Sequence, residues 1–253
     1  VLTNSFNHMT AQIGRLVDDI RKEQENLHYA EIRLLQEQIN PHFLYNTLDT
    51  IVWLAEEEKK DQVVAMVTSL STFFRTTLSE GRDCVLVSEE EEHIRSYLEI
   101  QRVRYQDILN YEISIDPEIY NYLMPKLTLQ PLVENAVIHG LSKSSKGGMV
   151  YIRSWIKDKV TWISVADTGE GMDQEVFQSL QDKIDRAENN HVENNHEENN
   201  HAEKQNKVYN EDDDKKGTGI GISNIAERIH GMNDGCGIHI YSRPGCGTAV
   251  QIY

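Results

Sequence analysis

This chain has little with which to build covalent or metallic cross-links. Its 253 residues include only three cysteines, Cys84, Cys236 and Cys246. No pair is spaced as C-x-x-C and the count is odd, which argues against a disulfide framework or a cysteine zinc site and fits a reducing compartment. Basic residues are also short: 25 Lys and Arg stand against 41 Asp and Glu, a net charge of −16. A phosphate backbone needs a basic face, so nucleic acid is not an expected partner. No apolar run approaches the roughly 20 residues that cross a bilayer, and no signal peptide is visible. The sequence opens at Val1 inside a periodic pattern, which reads as a fragment whose natural start lies upstream.

What is present suffices for a packed core, since 39% of residues are apolar. From Leu2 the apolar residues step by four and three through Phe6, Met9, Ile13, Leu16 and Ile20, then resume at Leu27, Ala30 and Leu34. That is a heptad seam broken once, which predicts a parallel coiled coil and hence a homodimer. The helix is expected to continue to about Glu57. A charged turn at Lys59-Lys60-Asp61 leads to a second amphipathic helix ending near Leu78. Two such hairpins make a four-helix dimer.

Composition then changes. Ser88-Glu89-Glu90-Glu91 has the form of a capping box and predicts a helix to about Tyr105. Strands are expected over 111–115, 150–156, 160–167, 237–242 and 248–253, with helices over 127–139 and 220–232. The fold class predicted is α+β: an N-terminal coiled coil and helical hairpin followed by a layered α/β sandwich. The repeat A-E-N-N-H, V-E-N-N-H, E-E-N-N-H, A-E-K-Q-N over 187–206 is nearly devoid of large apolar groups, so disorder is expected there. Its His191, His196 and His201 recur every five residues, a period that does not keep them on one helix face as a metal site would need.

Three glycine-bearing patches follow the composition change: Asp167-Thr168-Gly169-Glu170-Gly171, Gly217-Thr218-Gly219-Ile220-Gly221, and Gly245-Cys246-Gly247-Thr248. A glycine turn at a helix N-terminus can cradle a phosphate, but each patch alone reads equally as a tight turn. They lie in order behind Leu132-Val133-Glu134-Asn135-Ala136-Val137-Ile138-His139-Gly140. That series resembles the ATP-binding domain shared by sensor histidine kinases and gyrase-type ATPases. The resemblance implies that Asn135 holds Mg²⁺, that Asp167 accepts a hydrogen bond from the adenine amino group, and that Gly169 and Gly171 let the chain pass close to the base. It places Gly217, Gly219 and Gly221 at the edge of a lid over the phosphates and Thr248 near the adenine. His139 either reaches phosphate oxygens or serves as a core or capping residue. Gyrase-type ATPases carry a water-activating glutamate four residues before the metal asparagine; here that residue is Pro131. Glu134 is kept as a catalytic candidate, although it points about 100° away from Asn135 on a helix.

Upstream, Gln38-Ile39-Asn40-Pro41-His42-Phe43-Leu44-Tyr45-Asn46 puts a proline inside a helical pattern, where it costs about 3 kcal/mol. This stretch closely resembles the phosphoacceptor region of sensor histidine kinases of the YesM/LytS type. The resemblance implies that His42 accepts a phosphoryl group from ATP and passes it to an aspartate of a response-regulator receiver domain. Imidazole, with an ordinary pKa near 6.5, keeps a nucleophilic nitrogen at neutral pH. Asn46, one turn on, is a candidate for orienting a dephosphorylating water. Pro41 either bends the helix to expose His42 or is a tolerated kink.

The resemblance implies three parts: the end of a HAMP-like signalling coiled coil over 1–28, a dimerisation and phosphotransfer hairpin over 29–82, and an ATP-binding domain over 83–253 with a lid insertion over about 182–216. It implies the cytoplasmic portion of a bacterial plasma-membrane protein, joined to the membrane through the missing upstream segment. Two other readings stay open: a nucleotide-binding dimeric scaffold without transfer, and a gyrase-type hydrolytic ATPase.

Overall fold

A computed structural model describes residues 41–78, 82–105, 108–141, 147–194, 220–231 and 235–253. The expected coiled coil, the HAMP-like segment, Gly217 and Gly219 lie outside the described residues. The chain divides into two compact units between Trp53 and Leu54. The division does not fall at the expected edge of the hairpin near residue 82.

Of the first unit, the described part is Pro41–Trp53, which belongs to helix α1, Pro41–Glu56. Thr47 Oγ1 donates to the Phe43 carbonyl at 2.7 Å and Thr50 Oγ1 to the Asn46 carbonyl at 2.7 Å, so these hydroxyls bond back onto their own helix. The bend proposed at Pro41 involves residues before 41, outside the described ones.

The second unit begins as α1 ends. The turn falls at Glu57–Lys59, slightly before the expected charged trio. Glu58 takes a left-handed φ of 59°, and Lys59 N–H donates to the Leu54 carbonyl at 2.9 Å, which ends α1 in the manner of a helix C-cap. Helix α2, Lys60–Leu78, follows. It packs along helix α3, Val87–Arg104. Phe73 of α2 lies against Tyr97 of α3, with ring centroids 6.3 Å apart. This apolar seam is the reason α2 belongs to the second unit.

Between α2 and α3 runs a short strand, β1, Cys84–Leu86, antiparallel to β3, Leu123–Pro125. Neither strand is expected from the pattern, because three residues show no periodicity. The capping box also differs from the expected one. Helix α3 starts at Val87, and Glu89 rather than Glu91 reaches back, accepting the Leu86 N–H at 2.8 Å. Arg82 holds that carboxylate at 2.8 Å.

The main sheet has the order β2-β4-β5-β7-β6, from β2 (Leu109–Ser114), β4 (Gly148–Lys157), β5 (Val160–Asp167), β6 (Ile238–Arg243) and β7 (Gly247–Ile252). Strand β2 runs parallel to β4 and the other pairs are antiparallel. Alternation sorts the residues by face. Val150, Ile152, Ile163, Val165, Ile240, Val250 and Ile252 are buried on one side. The other side carries an aromatic row in which Trp155 stacks on Trp162 at 6.0 Å and Trp162 meets Tyr253 at 4.7 Å.

Helix α4, Leu129–Asn135, and the π-helical turn Ala136–Leu141 that continues it contact the buried face. Pro131 sits in the first turn of α4, where its missing N–H costs nothing. Helix α5, Gln174–Asn194, and helix α6, Ile220–His230, complete this layer. The repeat is therefore not irregular from its beginning: α5 carries the backbone helical to Asn194. Leu180 and Ile184 bury one side of that helix and nucleate it ahead of the polar repeat.

The loop before α4 is held from two sides. Glu90, 2% exposed, accepts backbone N–H bonds from Leu127 at 2.6 Å, Thr128 at 3.1 Å and Leu129 at 3.0 Å. Arg228 of α6 donates to the carbonyl of Lys126. Leu127 is thereby kept at a left-handed φ of 57°. Burial pushes the Glu90 carboxyl up, and the three N–H donors oppose that shift. Replacing it with alanine strands three buried donors. Urea unfolding of Glu90→Ala is expected to show a loss of about 3 kcal/mol, with a smaller loss for Glu90→Gln, which keeps one acceptor oxygen. A change of under about 0.5 kcal/mol in the alanine variant would contradict the assignment.

Candidate functional site

Helix α4, its π turn, the end of β5 and the start of β7 enclose a cleft of about 220 Å³. It brings together five of the candidates: Asn135, His139, Asp167, Gly171 and Thr248. A π turn takes more than four residues per revolution, so His139 at i+4 stays on the cleft side with Asn135. Glu134 is not among the lining residues. Its carboxylate instead accepts a bond from Gln130 Nε2 at 2.8 Å, on the side away from the cleft. Gly221 belongs to α6.

Asp167 ends β5 and is 8% exposed. Its Oδ1 accepts the Gly169 N–H at 2.8 Å. Burial pushes the Asp167 carboxyl above its ordinary value, and N–H bonds from Gly169 and Thr248 pull partly back. Gly140 explains why the motif needs a glycine after His139: a Cβ there would lie 2.6 Å from the Asp167 carboxyl carbon.

The loop after β5 is stitched to the β6–β7 hairpin. Gly245 N–H donates to the Glu170 carbonyl at 2.6 Å, and Met172 N–H donates to Ser242 Oγ at 2.8 Å. Ser242 also shares a 2.9 Å bond with Thr248 Oγ1. At Gly171, φ is +69° and a Cβ would meet the Arg243 carbonyl at 2.0 Å. At Gly247, φ is +81° and a Cβ would meet the Asp167 carbonyl at 2.0 Å. Both positions demand glycine on conformation and on space.

The cleft is acidic. Asp173 joins Asp167 in its wall, and no Lys or Arg lines it among the described residues. Asp173 Oδ1 accepts the Val176 N–H at 2.8 Å, capping α5. A ligand rich in negative charge therefore needs a cation brought with it. The Asn135 amide oxygen is a hard donor suited to a divalent ion that keeps most of its waters, so the residues present fit Mg²⁺.

His42 is exposed on α1. On the same helix, Asn46 Nδ2 is buried and finds no partner among the described residues. Sequence reasoning overlooked Ser242, Asp173 and Glu90. Ser242 lies near the end of strand β6 and Asp173 just before α5, places where a polar residue is ordinary, and Glu90 is one of four successive glutamates. Only burial distinguishes it.

Residues 123–253 match the model described as histidine kinase-, DNA gyrase B-, and HSP90-like ATPase, and residues 30–109 match the histidine kinase model. The chain is 32% identical over its whole length to sensor histidine kinase YesM of Bacillus subtilis, of which it covers 38%. It is 39% identical to sensor histidine kinase BtsS of Escherichia coli K12 over 57% of the chain and 25% of that protein. Sensor protein LytS of Bacillus anthracis is 28% identical over 87% of the chain and 33% of its own length. The chain thus spans well under half of these relatives.

A carboxyl with a raised folded pKa takes up protons on folding, so its charged form costs stability as pH rises from the unfolded value near 4 through the folded value. Asp167→Asn removes that cost. Ligand-free Asp167→Asn is expected to melt higher than the parent at pH 7, with the difference vanishing as pH falls below about 4. Thermal melts across pH check this; a lower melting point at pH 7 would refute it.

Proposed function

The chain belongs to the family of histidine kinase-, DNA gyrase B- and HSP90-like ATPases, and from that premise we propose that it is the catalytic part of a sensor histidine kinase. It binds Mg-ATP, phosphorylates His42 and passes the group to a response-regulator aspartate. The observation that carries this reading is the convergence of Asn135, His139, Asp167, Gly171 and Thr248 on one cleft in a chain that also bears an exposed His42.

Each residue has a physical task. The Asp167 carboxylate accepts from the adenine amino group, in a pocket whose glycines leave room for the ring. Asn135 holds the metal, and His139 bonds phosphate oxygens. Bound Mg²⁺ supplies charge neutralisation for the polyphosphate, which the acidic wall does not. A neutral imidazole nitrogen of His42 supplies the electron pair for the new P–N bond. The bond to the bridging oxygen breaks, ADP leaves with that pair, and the ring releases the proton of its other nitrogen. Positioning and electrostatics carry such transfers.

A homodimer fits the helices. On α1, Tyr45, Leu48 and Val52 are 67%, 44% and 57% exposed at helical spacing. On α2, Val64 and Val67 are 58% and 48% exposed. Such apolar stripes suit a second copy of the hairpin. The HAMP-like coiled coil, the membrane attachment upstream and a place at the cytoplasmic face of the membrane belong to the same proposal. Among the described residues no helix is long and apolar enough to cross a bilayer.

With γ-labelled ATP, the protein is expected to gain acid-labile, base-stable label that disappears in His42→Gln and falls at least about 100-fold in Asn135→Ala. Label that persists in His42→Gln, or no label in the parent, would overturn the reading. In Asn46→Ala, regulator dephosphorylation is expected to slow while labelling of His42 continues. An unchanged dephosphorylation rate would remove Asn46 from that role.

A further inference from the structure

A part-buried chain of hydrogen bonds crosses three helices and ends beside Asn135. Thr76 Oγ1 of α2 lies 2.7 Å from His93 Nδ1 of α3. His93 Nε2 lies 2.7 Å from Gln130 Oε1 of α4. Gln130 Nε2 reaches Glu134 Oε1 at 2.8 Å, and Glu134 adjoins Asn135. His93 is 1% exposed, and Phe73 of α2 stacks on its ring at 4.6 Å and 23°. The proposed reaction uses none of Thr76, His93 and Gln130.

The chemistry of the ends sets the direction of the chain. A carboxylate only accepts, so Gln130 turns its NH₂ toward Glu134 and its oxygen toward His93. His93 Nε2 must then carry the hydrogen. Burial holds the imidazole below its ordinary pKa, which favours the neutral ring. A neutral ring has one N–H, so Nδ1 accepts from the Thr76 hydroxyl. Each donor points onward to Glu134.

Thr76 is the joint that can open. Its hydroxyl has one proton and two competing acceptors on its own helix, the carbonyls of Thr72 and Phe73, both at 3.0 Å. A shift of α2 against α3 sends that proton back to its own helix and leaves His93 Nδ1 buried without a donor. The two arrangements are discrete, as a coupling element requires. The surface pair Arg75–Glu92 spans the same helices at 2.9 Å, but its side chains are 70% and 49% exposed, so it adds little.

We propose that Thr76, His93 and Gln130 are positioning residues that couple the seating of α2 on α3 to the placement of Asn135, and so set how tightly the cleft holds a metal–nucleotide complex. This deepens the kinase reading and rests on it for its purpose. A signal that moves the helical hairpin would reach the nucleotide through the core of the second unit.

The test uses the full chain and a fluorescent ATP analogue, with Mg²⁺ and again in EDTA, alongside labelling of His42. Thr76→Val keeps the shape and removes the hydroxyl. It is expected to weaken binding with Mg²⁺ by about fivefold and leave binding in EDTA unchanged, with Thr76→Ser restoring the parent value. Gln130→Met cuts the next joint, should show the same split, and carries the test if Thr76→Val does not fold. Folded variants that bind the Mg²⁺ complex within about twofold of the parent, or that lose equally in both conditions, would overturn the proposal. The expected split in a protein that never labels His42 would uphold the coupling and remove the kinase reading.

Discussion

The cleft depends on how the chain enters helix α4. A seven-residue helix has too few internal bonds to place itself. Its first donors would be orphans in a buried loop. Glu90 answers three of them with one carboxylate, and Arg228 answers the carbonyl of Lys126 on the opposite side. The loop is thereby fixed in a conformation that includes a left-handed leucine, which a free chain would avoid. Everything carried by α4 and its π turn inherits that placement: Gln130, Glu134, Asn135, His139 and Gly140. Arg228 sits on α6, which follows the segment expected to form the lid. Helices α6 and α4 are therefore tied at one loop.

A second constraint acts at the other wall. Asp167 must be buried enough to recognise one donor and yet remain open to it. The backbone solves this by close approach: Gly140, Gly169 and Gly247 each lie where a Cβ would strike Asp167 or the Gly140 carbonyl. The carboxyl is left in surroundings that disfavour its charge. Such a group is a stability cost, and a carboxylate held where folding alone would not favour it is a candidate for function.

Much of this was legible in the sequence. The alternation of β4 and β5 and the helical period of α1 and α2 are repeats that burial enforces, so the pattern exposes them, whereas Asn135, Asp167 and Thr248 stood out only through the resemblance of their motifs. The pieces that escaped are those without a period. Strands β1 and β3 are three residues each and exist only because they pair. The acidic tract illustrates the limit: four consecutive glutamates look alike, yet Glu89 caps α3 and Glu90 is buried under α4, while Glu91 and Glu92 pair with Arg95 and Arg75. One residue of rotation along a helix decides among them. Helix α5 shows the converse, since Leu180 and Ile184 start a helix that the polar repeat then continues.

The same geometry bears on whether a nucleotide here meets water or another acceptor. Hydrolysis needs a carboxylate near the terminal phosphate that is free to take a proton. Of the acids in or beside the cleft, Asp167 accepts the Gly169 N–H, and Asp173 is engaged as the cap of α5. Glu134 turns from the cleft to accept from Gln130. Pro131 occupies the place a water-activating glutamate would take, and it fits because the first turn of α4 needs no N–H there. Among the described residues no Lys or Arg lines the cleft, so a phosphate chain there still needs a cation, and each of these three carboxyls already accepts a hydrogen bond. An acceptor that brings its own nucleophile escapes that need, and a neutral imidazole is such an acceptor.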